Sequence, residues 1–104
     1  MASDTAIVHI ISFETSNPSN VASSLRGYVE RELARSAPRG FLSAVVLEAR
    51  DGGSAALVSY WETFADVEDV TDMAPWEAAM DLCDAVSDRR SETTYTISGA
   101  AARD

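Results

Sequence analysis

The chain has no lysine and no glutamine, and only one cysteine and one histidine among its 104 residues. A single cysteine, Cys83, excludes an internal disulfide and fits a reducing compartment. Cys83 and His9 together cannot build a zinc-type Cys/His cluster. Positive charge is scarce: eight basic residues stand against 17 acidic ones, for a net charge of −9. Such a surface repels phosphate backbones and anionic membranes, so neither nucleic acid nor a lipid surface is an expected partner. No apolar run reaches the roughly 18 residues of a membrane helix. Met1-Ala2-Ser3-Asp4 lacks the basic start of a signal peptide. The expectation is a soluble, cytoplasmic protein. All eight basic residues are arginine, and with abundant Ala and Asp this points to a GC-rich bacterial genome.

What is present is a globular composition, 46% hydrophobic and 24% charged. The length suits one hydrophobic core and not two. We expect a single domain over residues 1–104, with its core at about 5–98 and a loose tail at 99–104. No internal repeat or low-complexity segment interrupts it.

Residues 5–14 are rich in β-branched and aromatic types and predict a strand. Ile7, His9, Ile11 and Phe13 share one face, and Val8 and Ile10 the other, so both faces call for cover. Asn17-Pro18 predicts a helix start, with a helix to about Ser36. Val21, Leu25, Tyr28, Val29 and Leu33 form its apolar stripe. Phe41–Arg50 and Ser54–Glu62 read as two strands joined at Asp51-Gly52-Gly53. Thr63 is a candidate cap for a short helix with Phe64, Val67 and Val70 inward. Pro75 restarts the helix, placing Trp76, Ala79, Met80, Cys83 and Val86 on one face. Ser91–Ser98 alternates as a last strand.

This order, β-α-β-β-α-β, predicts an α+β, ferredoxin-like fold with a four-stranded antiparallel sheet and both helices on one face. The opposite face, with Val8, Ile10, Leu42, Val46 and Val58, would be left without intrachain cover. A homodimer would supply it.

The run Gly40–Gly53, Gly-Phe-Leu-Ser-Ala-Val-Val-Leu-Glu-Ala-Arg-Asp-Gly-Gly, is followed by Val-Ser-Tyr-Trp-Glu-Thr at Val58–Thr63. Together they resemble the antibiotic-biosynthesis monooxygenase family of dimeric α/β barrels, in which a Pro-Gly-Phe lead-in precedes strand two and Trp-Glu closes strand three. Here the lead-in is Pro38-Arg39-Gly40-Phe41, with an inserted Arg. The resemblance covers about residues 5–98 and implies a dimeric α/β barrel. Its relatives host several chemistries. Ala65–Met73 carries no His where haem-degrading relatives place their axial ligand, which speaks against haem degradation; no cofactor is expected.

His9 is the only imidazole and the first candidate base. The alternative is a core or interface histidine. Glu32 falls near Tyr28 on the first helix and is the second candidate base; otherwise it reaches solvent. Tyr28, Tyr60, Trp61 and Trp76 are candidate substrate-binding aromatics, each weighed against plain packing. Arg90 could hold an anionic group, or with Arg89 favour a helix C-terminus. Cys83 reads as a small buried apolar residue. Asp66, Glu68, Asp69 and Asp72 read as a solvated face. No P-loop or Ser-His-Asp pattern appears.

The resulting expectation is a cofactor-independent monooxygenase acting with O₂ on a small aromatic, anthrone-like polyketide. A polyketide cyclase or isomerase, or a non-catalytic small-molecule-binding dimer, stands beside it.

Overall fold

The structure is a computed structural model and describes residues 6–103. The elements are β1 (Ile7–Glu14), α1 (Pro18–Tyr28, continued by a π-helical segment Val29–Ala34), β2 (Phe41–Glu48), β3 (Ser54–Trp61), α2 (Phe64–Thr71), α3 (Ala74–Asp84) and β4 (Arg89–Thr96). The four strands form one antiparallel sheet in the order β2-β3-β1-β4. This is the split βαβ, ferredoxin-like topology expected from the element order.

The odd-numbered residues of β1 and β3 face the helices. Ile11, Phe13, Ala55, Leu57 and Trp61 are buried there. They meet Val21, Ala22, Leu25 and Leu33 of the first helix, and Trp76, Ala79, Met80 and Cys83 of α3. Each fully buried large aliphatic side chain contributes about 1.5–3 kcal/mol relative to exposure. The even residues, Val8, Ile10, Val58 and Tyr60, point to the other face, where no described helix lies.

Strand β2 departs from the simple alternation. Phe41 pairs with Trp61, but Ser43 pairs with Tyr60, so Leu42 is an extra residue. A one-residue bulge reverses the facing of everything beyond it. Val46 therefore packs against the core, and Val45 and Leu47 take the open face, each about half exposed. The expectation that Val46 lies on the open face is corrected accordingly.

Other corrections have local causes. Asn17 makes no side-chain cap, although Pro18 does begin the helix. The Asn17 amide instead donates to Thr15 Oγ1 at 2.9 Å, and that hydroxyl donates to the Val86 carbonyl at 2.5 Å. The first helix widens at Val29, its Arg35 amide reaching back five residues to the Glu30 carbonyl. It ends in Ala37, whose φ of 45° is left-handed, before Pro38. Phe64, at the first position of α2, is half exposed instead of inward. Val86 lies beyond the end of α3 and is 38% exposed.

Thr63 caps α2 as expected: its Oγ1 accepts from the Asp66 amide at 3.2 Å and donates to Asp66 Oδ2 at 2.8 Å. Asp66 is buried, in contrast to the solvated face expected for it, while Glu68, Asp69 and Asp72 are exposed. Its carboxylate occupies the space above Gly40, where a Cβ would sit 1.9 Å from Oδ2.

Candidate functional site

The helix-facing side of β1 carries a histidine in the middle of an apolar row. His9 is 1% exposed. Its Nε2 lies 2.6 Å from Oε2 of Glu92. A carboxylate only accepts, so Nε2 carries the hydrogen and donates it. The β1–β4 register pairs His9 with Thr94 and Ile11 with Glu92. Glu92 is thus the diagonal neighbour of His9 on the same face of the sheet, within side-chain reach. The two side chains differ in access: that of His9 is 2% exposed and that of Glu92 is 42% exposed.

Aromatic rings from the helices close over the imidazole. The Trp76 ring lies 5.5 Å from His9, centroid to centroid, tilted by 48°. Tyr28 meets Trp76 edge-on at 5.7 Å. Pro75 in the first turn of α3 suits the helix start that places Trp76 here. Tyr28 is 2% exposed. Burial pushes its hydroxyl well above the ordinary tyrosine range, and the Glu32 carboxylate adds to the shift. The phenol is therefore a neutral group at physiological pH.

Trp76 also forms a wall of an open cleft of about 370 Å³, with Thr71, Glu77, Met80, Asp81 and Arg90. Arg90 lies on the helix-facing side of β4, two residues before Glu92, and its Nη1 is 3.6 Å from Asp84 Oδ2. Tyr28, Glu32 and Pro75 line two smaller clefts of about 240 and 170 Å³. Glu32 is half-buried on the π-helical segment and belongs to those clefts, whereas Arg90 belongs to the larger one.

The structure thus brings His9, Trp76 and Tyr28 together, with Arg90 on the neighbouring strand. Trp61 is buried elsewhere in the core, against Phe41 at 5.4 Å, its Nε1 donating to Ser59 Oγ at 2.8 Å. Tyr60 points to the open face of the sheet and is separated from His9 by the sheet itself. Cys83 is fully buried, and its thiol is pushed up to about 11, chiefly by burial, with Asp84 raising it further and Arg90 opposing. It is a packed thiol, not a thiolate, at neutral pH.

Glu92 is the residue that sequence reasoning passed over. The β4 alternation places Arg90, Glu92 and Thr94 on one face, and a carboxylate on a face destined for the core was the available signal. Only the pairing of β4 with β1 gives it a partner, 83 residues away. Among the described residues, no group of three or more His, Cys, Asp or Glu side chains is arranged to hold a metal ion. No described helix is long and apolar enough to cross a membrane.

This architecture recurs in solved structures. A mutant of SnoaB, a cofactor-independent oxygenase from Streptomyces nogalater, superposes with a TM-score of 0.78 at 15% identity, over 92% of this chain and 96% of that one. A proposed antibiotic biosynthesis monooxygenase from Nitrosomonas europaea gives 0.77 at 14% identity, over 91% and 92%. A dimeric protein of unknown function and ferredoxin-like fold from Bacteroides fragilis gives 0.72 at 17% identity, over 88% and 96%. The chain shares the ferredoxin-like fold of these proteins. At such identities the likeness is one of fold. No protein-family model matches the chain, and no curated protein matches it.

Proposed function

We propose that this chain is a cofactor-independent oxygenase that acts with O₂ on a reduced aromatic substrate of the anthrone type. The observation that carries this reading is the hydrogen-bonded His9–Glu92 pair, whose imidazole lies against Trp76, a residue that also walls an open cleft. The fold shared with SnoaB, described as a cofactor-independent oxygenase, supports it.

The chemistry asks for a base, a flat apolar wall and a group that favours an oxyanion. The His9–Glu92 pair is the base unit, Trp76 the wall, and Arg90 the cationic group. Loss of a methylene proton gives a delocalised enolate. The enolate passes one electron to O₂, and the resulting radical and superoxide combine into a peroxide anion. The peroxide takes back the first proton. Loss of the second methylene proton then breaks the O–O bond, leaving a carbonyl on carbon and releasing the other oxygen as water. One anthrone and one O₂ thus give one quinone and one water.

We further propose that the working unit is a homodimer. The open sheet face presents Val8, Ile10, Val45, Leu47 and Val58, and Leu42, Val45 and Leu47 are each about half exposed in the single chain. A second copy packed on this face would complete the dimeric α/β barrel.

The test is oxygen uptake with anthrone as the probe. Equimolar consumption of O₂ and anthrone, undiminished after treatment with a chelator, is the expected result. Conversion of anthrone-type substrates without oxygen uptake would replace this reading with cyclase or isomerase chemistry.

A further inference from the structure

We propose that Glu92, not His9, takes the proton from the substrate, and that His9 is its positioning residue. This rests on the oxygenase reading for its substrate and deepens it by naming the base.

The two side chains share one hydrogen bond but are not equally reachable. A base must come within hydrogen-bond distance of the proton it removes. The His9 ring is enclosed, with Trp76 beside it and Glu92 at Nε2, and its side chain is 2% exposed. The Glu92 side chain is 42% exposed. Its Oε2 is engaged by His9, so Oε1 is the oxygen that meets a substrate. Arg90, the next residue on that face of β4, lines the cleft walled by Trp76. A planar ligand lying along Trp76 in that cleft would meet the Arg90 guanidinium, and Glu92 lies two residues further along the same face of β4.

The chemistry suits a carboxylate. A carboxylate removes a proton from carbon when the resulting anion is delocalised and favoured by a hydrogen-bond donor or cation. In this step the C–H bond of the methylene breaks and an O–H bond forms at Glu92 Oε1. The electron pair moves into the ring carbonyl, whose oxygen becomes the enolate. Nothing is oxidised or reduced until O₂ arrives. His9 keeps its Nε2 hydrogen on Oε2 throughout, fixing the carboxylate against rotation. The protonated Glu92 then returns its proton to the peroxide.

The experiment follows deuterium exchange into the anthrone methylene in D₂O without oxygen, beside oxygen uptake in air. Wild-type protein should accelerate exchange above the buffer rate. Glu92→Gln should lose about 10²–10⁴-fold, the usual range for a missing general base. Added formate should restore exchange to Glu92→Ala, because a small carboxylate enters the space left at an exposed position. His9→Gln keeps an N–H donor for Oε2 and should lose less than about tenfold, with His9→Ala losing more. Circular dichroism checks the fold of each variant. A loss in His9→Gln as deep as in Glu92→Gln, with no formate rescue of Glu92→Ala, would make His9 the base and overturn the proposal. Wild-type exchange without oxygen uptake would leave Glu92 as the base and remove the oxygenase reading. Absence of wild-type exchange would overturn both.

Discussion

Trp76 of α3 lies across the His9 imidazole of β1, their ring centroids 5.5 Å apart. The same indole receives the edge of Tyr28 at 5.7 Å. One side chain therefore ties both helices to the histidine on the sheet. Trp76 is 7% exposed, so its truncation removes core as well as site. We expect Trp76→Ala to cost about 3–5 kcal/mol in unfolding free energy, and Trp76→Phe clearly less. Urea unfolding measures both. Equal stability of Trp76→Ala and wild type would show that the indole is not packed as described.

The side-chain space of Gly40 is filled by the Asp66 carboxylate. Its φ is +78°, and a Cβ there would meet the Asp66 carboxylate at 1.9 Å. The carboxylate cannot retreat freely, because its Oδ2 accepts from Thr63 and its own backbone lies in the first turn of α2. Gly40→Ala should destabilise by more than about 1 kcal/mol, from left-handed strain and the collision together. Removing the carboxylate in a Gly40→Ala, Asp66→Ala double variant should recover part of that loss. Additive losses in the double-variant cycle would contradict the contact.

Alkaline stability follows from Cys83. The unfolded thiol ionises at its ordinary 9.0, whereas the folded one holds its proton to about 11. The folded state binds that proton more tightly. The contribution is full below pH 9 and is lost as pH rises from 9 to 11. A shift of this size corresponds to about 2–3 kcal/mol for this fully buried group. Tyr28 adds to the loss from pH 10 upward, since its folded hydroxyl is also raised. Urea unfolding from pH 8 to 11 should show a steeper decline for wild type than for Cys83→Ala. Parallel declines would mean that the thiol is not desolvated.

The open sheet face predicts the oligomeric state. Val45 and Leu47 are about half exposed on a face that no described helix covers. Wild-type protein should sediment at twice the chain mass, with an apolar interface of about 2,000 Å² or more. Leu47→Glu should shift it to the monomer by placing a charge in that interface. A wild-type monomer at micromolar concentration would end the dimer proposal.

The order of strands and helices was legible because it rests on local signals. Apolar spacing changed from two to nearly four residues at Asn17-Pro18, and Asp51-Gly52-Gly53 marked the hairpin. The alternation of β1 was legible too: Ile7, His9, Ile11 and Phe13 share one face and Val8 and Ile10 the other, and the helices cover the first. Such patterns are properties of neighbouring residues and need no knowledge of what lies across the fold. Helix ends were less legible, as Phe64 and Val86 show, because periodicity assigns a face without saying where the partner surface stops.

The tertiary structure alone decided the rest. The bulge at Leu42 turned Val45 outward and Val46 inward, since one extra residue exchanges the two faces of a strand. Adjacency alone put Tyr60 and Trp61 on opposite faces of β3, but only the fold decided that Trp61 took the core and Tyr60 the open face. Asp66 sits within an acidic run that spacing reads as solvated, yet the bare Cα of Gly40 from another element made room to bury it. Most of all, Glu92 means little as one acidic residue in a polar strand. It becomes the partner of His9 only when β4 pairs with β1 in this register. Composition and periodicity describe each segment by itself, whereas a hydrogen bond across 83 residues exists only once two strands have chosen each other.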